Sequence, residues 1–137
     1  MKSWFADAFY WIALLNVDDE LHRAAVSLRD QLKGNFITTQ WILAEVLDGC
    51  STHGNRIAAA GFVRAILEQA NVLTVPASEH WFLRGLALYE QRRDKEWSLT
   101  DCISFQVMRD YDLTEALTAD HHFEQAGFVA LLKESES

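Results

Sequence analysis

The chain has 137 residues, 50% of them hydrophobic and 12% aromatic, and 20 acidic against 12 basic side chains give it a net charge of −8. That charge has the wrong sign for a module that coats nucleic acid, because such binding neutralises phosphates with Lys and Arg. No apolar stretch approaches the ~18–20 residues of a bilayer span and the N-terminus lacks an export pattern, so a cytoplasmic protein with no membrane partner is expected.

The first β-favouring run, SWFA at 3–6, leads directly into Asp7 and then a helical pattern through FYWIALL at 9–15. A second run, FIT at 36–38, precedes two consecutive helices over 40–70, split near STHGN. The first of these helices carries Glu45, whose helical neighbours Trp41, Ile42 and Gly49 place it on a core-facing stripe, whereas Asp48 lies beside Ala44 and Thr52 on a more polar side. NVLTV at 71–75 is the third run. A charged stretch, RRDK at 92–95, then leads into SLTD, which reads as a capping box with Ser98 as N-cap and Asp101 at the third helical position. Asp101 also shares a face with Trp97, Phe105 and Met108, which aims its carboxylate along an apolar surface. EALT at 115–118 is the fourth run, followed by Asp120, and FVALL at 128–132 is the fifth.

Strands alternating with helices predict an α/β fold, a sandwich around a mainly parallel five-stranded sheet with helices on its faces. With no linker, low-complexity tract or repeat, residues 1–137 are expected to form one domain with a single core. Cys50 and Cys102 lie in apolar helical patterns, without a CxxC pair or zinc-site spacing, and read as reduced core thiols. Trp4, Trp11, Trp41, Trp81 and Trp97 likewise fall largely in apolar stripes and read as core or dimer-contact residues.

In open parallel sheets, ligands bind beyond the carboxyl ends of the strands. Asp7 and Asp120 follow the first and fourth runs and belong on that rim. Taken singly, each could serve only as a helix N-cap. Asp101 and Glu45 are harder to place, because a charge on an apolar stripe is costly unless it is paired or binds a metal. The nearest basic residues in sequence, Arg92, Arg93, Lys95 and Arg109, could satisfy one or two of the four acids. Two like charges ~4 Å apart at an effective dielectric near 20 repel by about 4 kcal/mol, so the cluster wants protons or a cation. All-oxygen ligation suits Mg²⁺ or Mn²⁺, and phosphodiester hydrolysis is the chemistry such a site supports.

Four segments carry a family resemblance: FADAFYWIALL near the N-terminus, TTQWILAEVLD at 38–48, DKEWSLTDCISFQVMRD at 94–110 and LTADHHFEQAGF at 117–128. They resemble the successive acidic motifs of the PIN domain family, and within it the single-domain VapC-like toxins of prokaryotic toxin-antitoxin pairs. The resemblance implies a three-layer sandwich with a central parallel sheet, and a Mg²⁺- or Mn²⁺-dependent endoribonuclease acting on RNA. It further implies a cognate antitoxin protein that plugs the acidic cleft; the charge of the cleft suits a basic, partly apolar segment of that partner, and a homodimer is expected. Carried over by position, Asp7, Glu45, Asp101 and Asp120 match the family's metal-binding and catalytic acids, and Thr118 matches the hydroxyl residue before the last acid. One departure stands out: where family members often carry Ser or Thr just after the first acid, this chain has Ala8 and Phe9.

The remaining candidates are supporting ones. His121 and His122 follow Asp120, but adjacent helical residues diverge by about 100°, so they make a poor metal pair; His122 is the one expected to touch the cleft. Arg92, Arg93 and Lys95 form either a solvated turn or a grip on substrate phosphates, and Asp94 is a candidate support for the metal shell. The scattered glycines form neither a GxGxxG nor a GxxxxGK loop, which argues against a nucleotide-binding domain. A receiver domain would need an acidic pair after the first strand and a late lysine, and neither falls in place. The rival reading is a non-catalytic PIN-like module that binds RNA or protein.

Overall fold

A computed structural model describes residues 1–52 and 54–133. In chain order the elements are β1 (Ser3–Ala6), α1 (Ala8–Leu15), α2 (His22–Gln31), β2 (Asn35–Thr39), α3 (Gln40–Gly49), α4 (Arg56–Glu68), β3 (Val72–Val75), α5 (Glu79–Gln91), α6 (Leu99–Asp110), β4 (Glu115–Leu117), α7 (His121–Gln125) and β5 (Val129–Ala130). All five expected strands are present. The expected break near STHGN falls between α3 and α4, with His53 itself outside the described residues.

The strands form one sheet in the order β3-β2-β1-β4-β5, and every neighbouring pair is parallel. Parallel pairing follows from the connections, since each strand is joined to the next through at least one helix. Burial sorts centre from edge. Trp4, Phe5 and Ala6 are buried in succession in β1, as are Phe36 to Thr39 in β2, so both strands are covered on both faces. Leu73 in β3 and Val129 in β5 are exposed, as edge strands allow.

Local chemistry explains the helix boundaries that matter for function. Thr39 ends β2 and caps α3, its Oγ1 accepting the Ile42 N–H at 3.1 Å. Ile42, Leu43 and Val46 form the buried stripe of α3, and Ala59, Val63 and Ile66 that of α4. The helical pattern after β1 is interrupted at Asn16 and Asp19, whose carbonyl and carboxylate oxygens accept backbone N–H groups two residues on, from Asp18 and Leu21. Helix α5 packs closely on α6 because Gly85 lets the backbones approach: a Cβ there would collide with Ile103. Gly127, with φ +97°, closes α7 while Phe128 N–H returns to the Phe123 carbonyl at 3.0 Å.

The core lies on both faces of the sheet. Trp4, Trp11 and Trp97 are buried in it, while Trp41 and Trp81 are half-buried against it. Cys102 is buried, Cys50 partly so, and both are free thiols. No described helix is long and apolar enough to cross a membrane.

The strand order has one consequence for any ligand. From β1 the chain moves outward through β2 to β3, then returns to the other side of β1 for β4 and β5. The connections leaving β1 and β4 therefore depart in opposite directions, which opens a crevice at the carboxyl ends of those two strands.

Candidate functional site

Asp7 is the first residue after β1, and its backbone N–H reaches the Leu117 carbonyl of β4 at 3.2 Å. It occupies the N-cap position of α1, yet its side chain makes no capping bond to the helix. Instead, the Thr118 hydroxyl donates to Asp7 Oδ2 at 2.7 Å. The same hydroxyl oxygen accepts the Asp120 N–H at 3.0 Å, so Thr118 ties the end of β1 to the chain leaving β4. Asp7 is only 5% exposed. Burial pushes its carboxyl up to about 6; the hydrogen bond from Thr118 and the adjacent Ala8 backbone N–H oppose this, and the charges of Asp101 and Asp120 reinforce it.

Asp101 and Asp120 arrive from the starts of α6 and α7. The capping box expected at Ser98 is formed: Ser98 Oγ accepts the Asp101 N–H at 3.0 Å and Asp101 Oδ2 accepts the Ser98 N–H at 3.1 Å. Asp120 caps α7 through Oδ1, which accepts the His122 N–H at 2.9 Å. Capping and a place in the crevice are thus compatible. In both residues the hydrogen bonds found among the described residues fall on a single oxygen, Oδ2 of Asp101 and Oδ1 of Asp120, which leaves the other oxygen free for a ligand.

His122 stands between these two acids. Its Nδ1 lies 2.9 Å from Asp101 Oδ2 and 3.5 Å from Asp120 Oδ1. The three side chains are 21%, 15% and 18% exposed for His122, Asp101 and Asp120 respectively. His121 points outward, with its side chain 72% exposed and its Nδ1 3.8 Å from Asp120 Oδ1. The expected divergence of the two histidines is present, and the contact of His122 with Asp101 is closer than sequence spacing could indicate. Among the described residues no Lys or Arg forms an ion pair with Asp7, Glu45, Asp101 or Asp120; the imidazoles are the nitrogen-bearing side chains that reach Asp101 and Asp120. Neither Arg109 nor the 92–95 stretch fills that role.

Glu45 corrects one expectation. The buried stripe of α3 runs through Ile42, Leu43 and Val46, and at about 100° per residue Glu45 lies about 60° from Ile42 and about 100° from the middle of the stripe, so it flanks the core and is exposed at the rim. Its carboxyl is nevertheless pushed up to about 7, first by lost hydration and then by the charges of Asp7, Asp101, Asp120 and Asp48. Trp97 likewise lies just before α6 rather than on it, packing edge-on against Phe105 with its indole N–H donated to Gln125 Oε1 at 2.9 Å. Gln125 drew no attention in the sequence, since nothing local marks it as a partner for a tryptophan 28 residues away.

The basic stretch lines a cavity of about 620 Å³, where Arg92, Arg93 and Lys95 are joined by the acids Glu90 and Glu96 and by Tyr89, Trp97 and Cys102, the last adjacent in sequence to Asp101. Arg92 lies over the Trp97 ring at 4.9 Å and forks onto Asp94 at 3.0 and 3.1 Å. Those bonds pull the Asp94 carboxyl down to about 2, and Lys95 approaches the same group at 3.8 Å. Asp94 therefore faces Arg92 and Lys95 rather than the four acids. Arg93 is exposed and makes no ion pair among the described residues.

The profile of the PIN domain family matches residues 5–129. This chain belongs to the PIN domain family. The PIN domain is 28% identical over 136 residues to the 23S rRNA-specific endonuclease VapC20 of Mycobacterium tuberculosis, an alignment covering 95% of this chain and 98% of that one. Its fold is similar to the crystal structure of M. tuberculosis VapC20, a Sarcin-Ricin loop cleaving toxin, with a TM-score of 0.85 at 25% identity, covering 93% and 97% of the two chains. At 10% identity, the structure of VapBC2 from Rickettsia felis, bound to a DNA fragment from its promoter, shares the fold with a TM-score of 0.63 over 94% and 97% of the chains. The expected family and the expected α/β sandwich are both borne out.

Proposed function

We propose that this PIN domain, taken as one unit over residues 1–137, is a Mg²⁺- or Mn²⁺-dependent endoribonuclease and the toxin of a toxin-antitoxin pair. One observation carries the reading: carboxylates from β1, α6 and α7 meet at the switch point of the sheet, served by histidine but by no Lys or Arg, with Asp7 held at about 6. That donor set fits a divalent cation, since hard oxygen ligands suit Mg²⁺ and Mn²⁺ and the crowded charge is relieved when one binds. The likeness to VapC20, a 23S rRNA-specific endonuclease and Sarcin-Ricin loop cleaving toxin, supports the same class.

Asp7, Asp101 and Asp120 would hold the ion, and Glu45, at the rim, would join directly or through water. When bound, such an ion polarises the phosphoryl oxygen and makes water nucleophilic near neutral pH. Thr118 keeps Asp7 in place by donating to one of its oxygens. Of the basic stretch, Arg93, which forms no ion pair among the described residues, would meet a flanking RNA phosphate, while Arg92 and Lys95 would first have to leave Asp94. The acidic crevice also suits an antitoxin segment whose Arg or Lys takes the place of the cation. For a homodimer, the exposed Phe82 and Leu83 on α5 offer apolar surface.

The deciding experiment is cleavage of 23S rRNA fragments by purified protein with Mn²⁺, compared with Asp7→Asn and Asp101→Asn. Loss of cutting in both, with circular dichroism unchanged, supports the reading. Undiminished cutting in both would refute it, and RNA binding without cutting by the wild type would favour the non-catalytic interaction module.

A further inference from the structure

We propose that His122 is itself a metal ligand, adding an imidazole nitrogen to the carboxylates of Asp101 and Asp120 and turning the site away from Mg²⁺ toward Mn²⁺. This rests on the metal-site reading above and goes beyond an all-carboxylate set.

The geometry comes first. Ligands with bonds of about 2.1–2.2 Å to one ion sit about 3.0 Å apart at adjacent octahedral corners and about 3.5 Å apart at tetrahedral ones. His122 Nδ1 lies 2.9 Å from Asp101 Oδ2 and 3.5 Å from Asp120 Oδ1, each the spacing of two neighbouring ligands of one ion; both oxygens also accept a capping N–H, which a carboxylate oxygen can do while its other lone pair, or the second oxygen of the same group, meets an ion. Ligand atoms of Asp120, His121 and His122 all lie within 4.8 Å of one another, and of the two histidines only His122 turns its ring toward both carboxylates. The ring is also well placed to stay there. Its backbone N–H is fixed to Asp120 and the His121 ring packs against it at 4.5 Å.

Chemistry sets the selectivity. Mg²⁺ prefers oxygen and sheds water reluctantly, whereas first-row transition ions accept imidazole readily. An ion bound at Nδ1 requires the tautomer with its proton on Nε2. A hydrogen bond to Asp101 alone would make His122 a positioning residue instead, and the two roles part in how they treat different metals.

The test uses Mn²⁺ as its own probe. Pulsed electron paramagnetic resonance of the Mn²⁺-loaded wild type should show ¹⁴N coupling of a bound imidazole, converted to ¹⁵N coupling in protein made with ¹⁵N-histidine. The coupling should vanish in His122→Gln and persist in His121→Gln. In competition titrations the preference for Mn²⁺ over Mg²⁺ should fall about tenfold or more in His122→Gln, the scale of losing one ligand contact. Bound Mn²⁺ without nitrogen coupling in the wild type would overturn the proposal while leaving the nuclease reading intact. Equal weakening of both ions in His122→Gln would also overturn it, by showing that the ring only positions Asp101. A wild type that binds no Mn²⁺ at all would remove the metal-site reading and this proposal together.

Discussion

Replacing Asp7 with Asn should stabilise the metal-free protein above pH 6 while abolishing RNA cleavage. Asp7 moves from an ordinary value of 3.8 to about 6 on folding, chiefly through burial. At about 1.36 kcal/mol per pH unit, that corresponds to about 3 kcal/mol disfavouring the ionised folded state. The direction follows from the raised value. Below pH 4 the carboxyl is protonated in folded and unfolded chains alike and the penalty is absent. Between pH 4 and 6 the unfolded chain ionises first and stability drains away, and above pH 6 the penalty is complete. Asn abolishes that titration, and its amide oxygen can still accept from Thr118, though a neutral acceptor gives up about 1 kcal/mol relative to a charged one. A net gain of about 2 kcal/mol at pH 8 amounts to several degrees in melting temperature, at about 4 °C per kcal/mol for a chain of this size. Relief of Glu45, which Asp7 also pushes up, adds in the same direction. The assay is thermal unfolding in EDTA at pH 8 and pH 4.5, wild type against Asp7→Asn. A variant no more stable than wild type at pH 8, or one whose gain is as large at pH 4.5, would refute the account of Asp7 as a strained, desolvated charge.

Three other outcomes are expected. Thr118→Val removes the donor to Asp7 and the acceptor for the Asp120 N–H, so it should destabilise by about 1–3 kcal/mol in denaturant titration and shift the acidic limb of the pH–rate profile upward. Arg93→Ala should raise KM with kcat nearly unchanged and flatten the salt dependence of RNA binding, because an exposed cation at the cavity edge steers phosphates without touching the scissile one. Gly85→Ala should destabilise by about 1–3 kcal/mol and leave the activity of the folded fraction unaltered, since the new methyl group meets Ile103 at the α5–α6 contact, where neither helix can give way without a backbone shift.

The acids were legible in the sequence to different degrees, and the reasons are physical. Asp7 and Asp120 could be read from their place after short apolar runs, because the end of a parallel strand is a position in space as well as in sequence. The capping signature of Ser98 and Asp101 was legible too, but it suggested a choice between cap and site that the fold does not impose: one carboxylate oxygen caps while the other stays free. Glu45 was misplaced by an angle. Neighbours at helical spacing drew the stripe through Trp41 and Gly49, while the burial of Leu43 and Val46 turns it far enough to leave Glu45 on the flank. The search for basic partners failed for a different reason, since proximity in sequence says little when Arg92 prefers Trp97 and Asp94, and Arg84 turns to Asp110. His122 is the instructive case. Its partner Asp101 lies 21 residues away on another helix, so no periodicity within either segment could join them. Only the return of the chain across β1 brings the start of α7 beside the start of α6, and strand order is a property of how five short apolar runs pack together rather than of any one of them. The residues that sequence reasoning finds are those whose role is set by their own element; what it misses, the bond of His122 to Asp101 and that of Gln125 to Trp97, lies in contacts between elements.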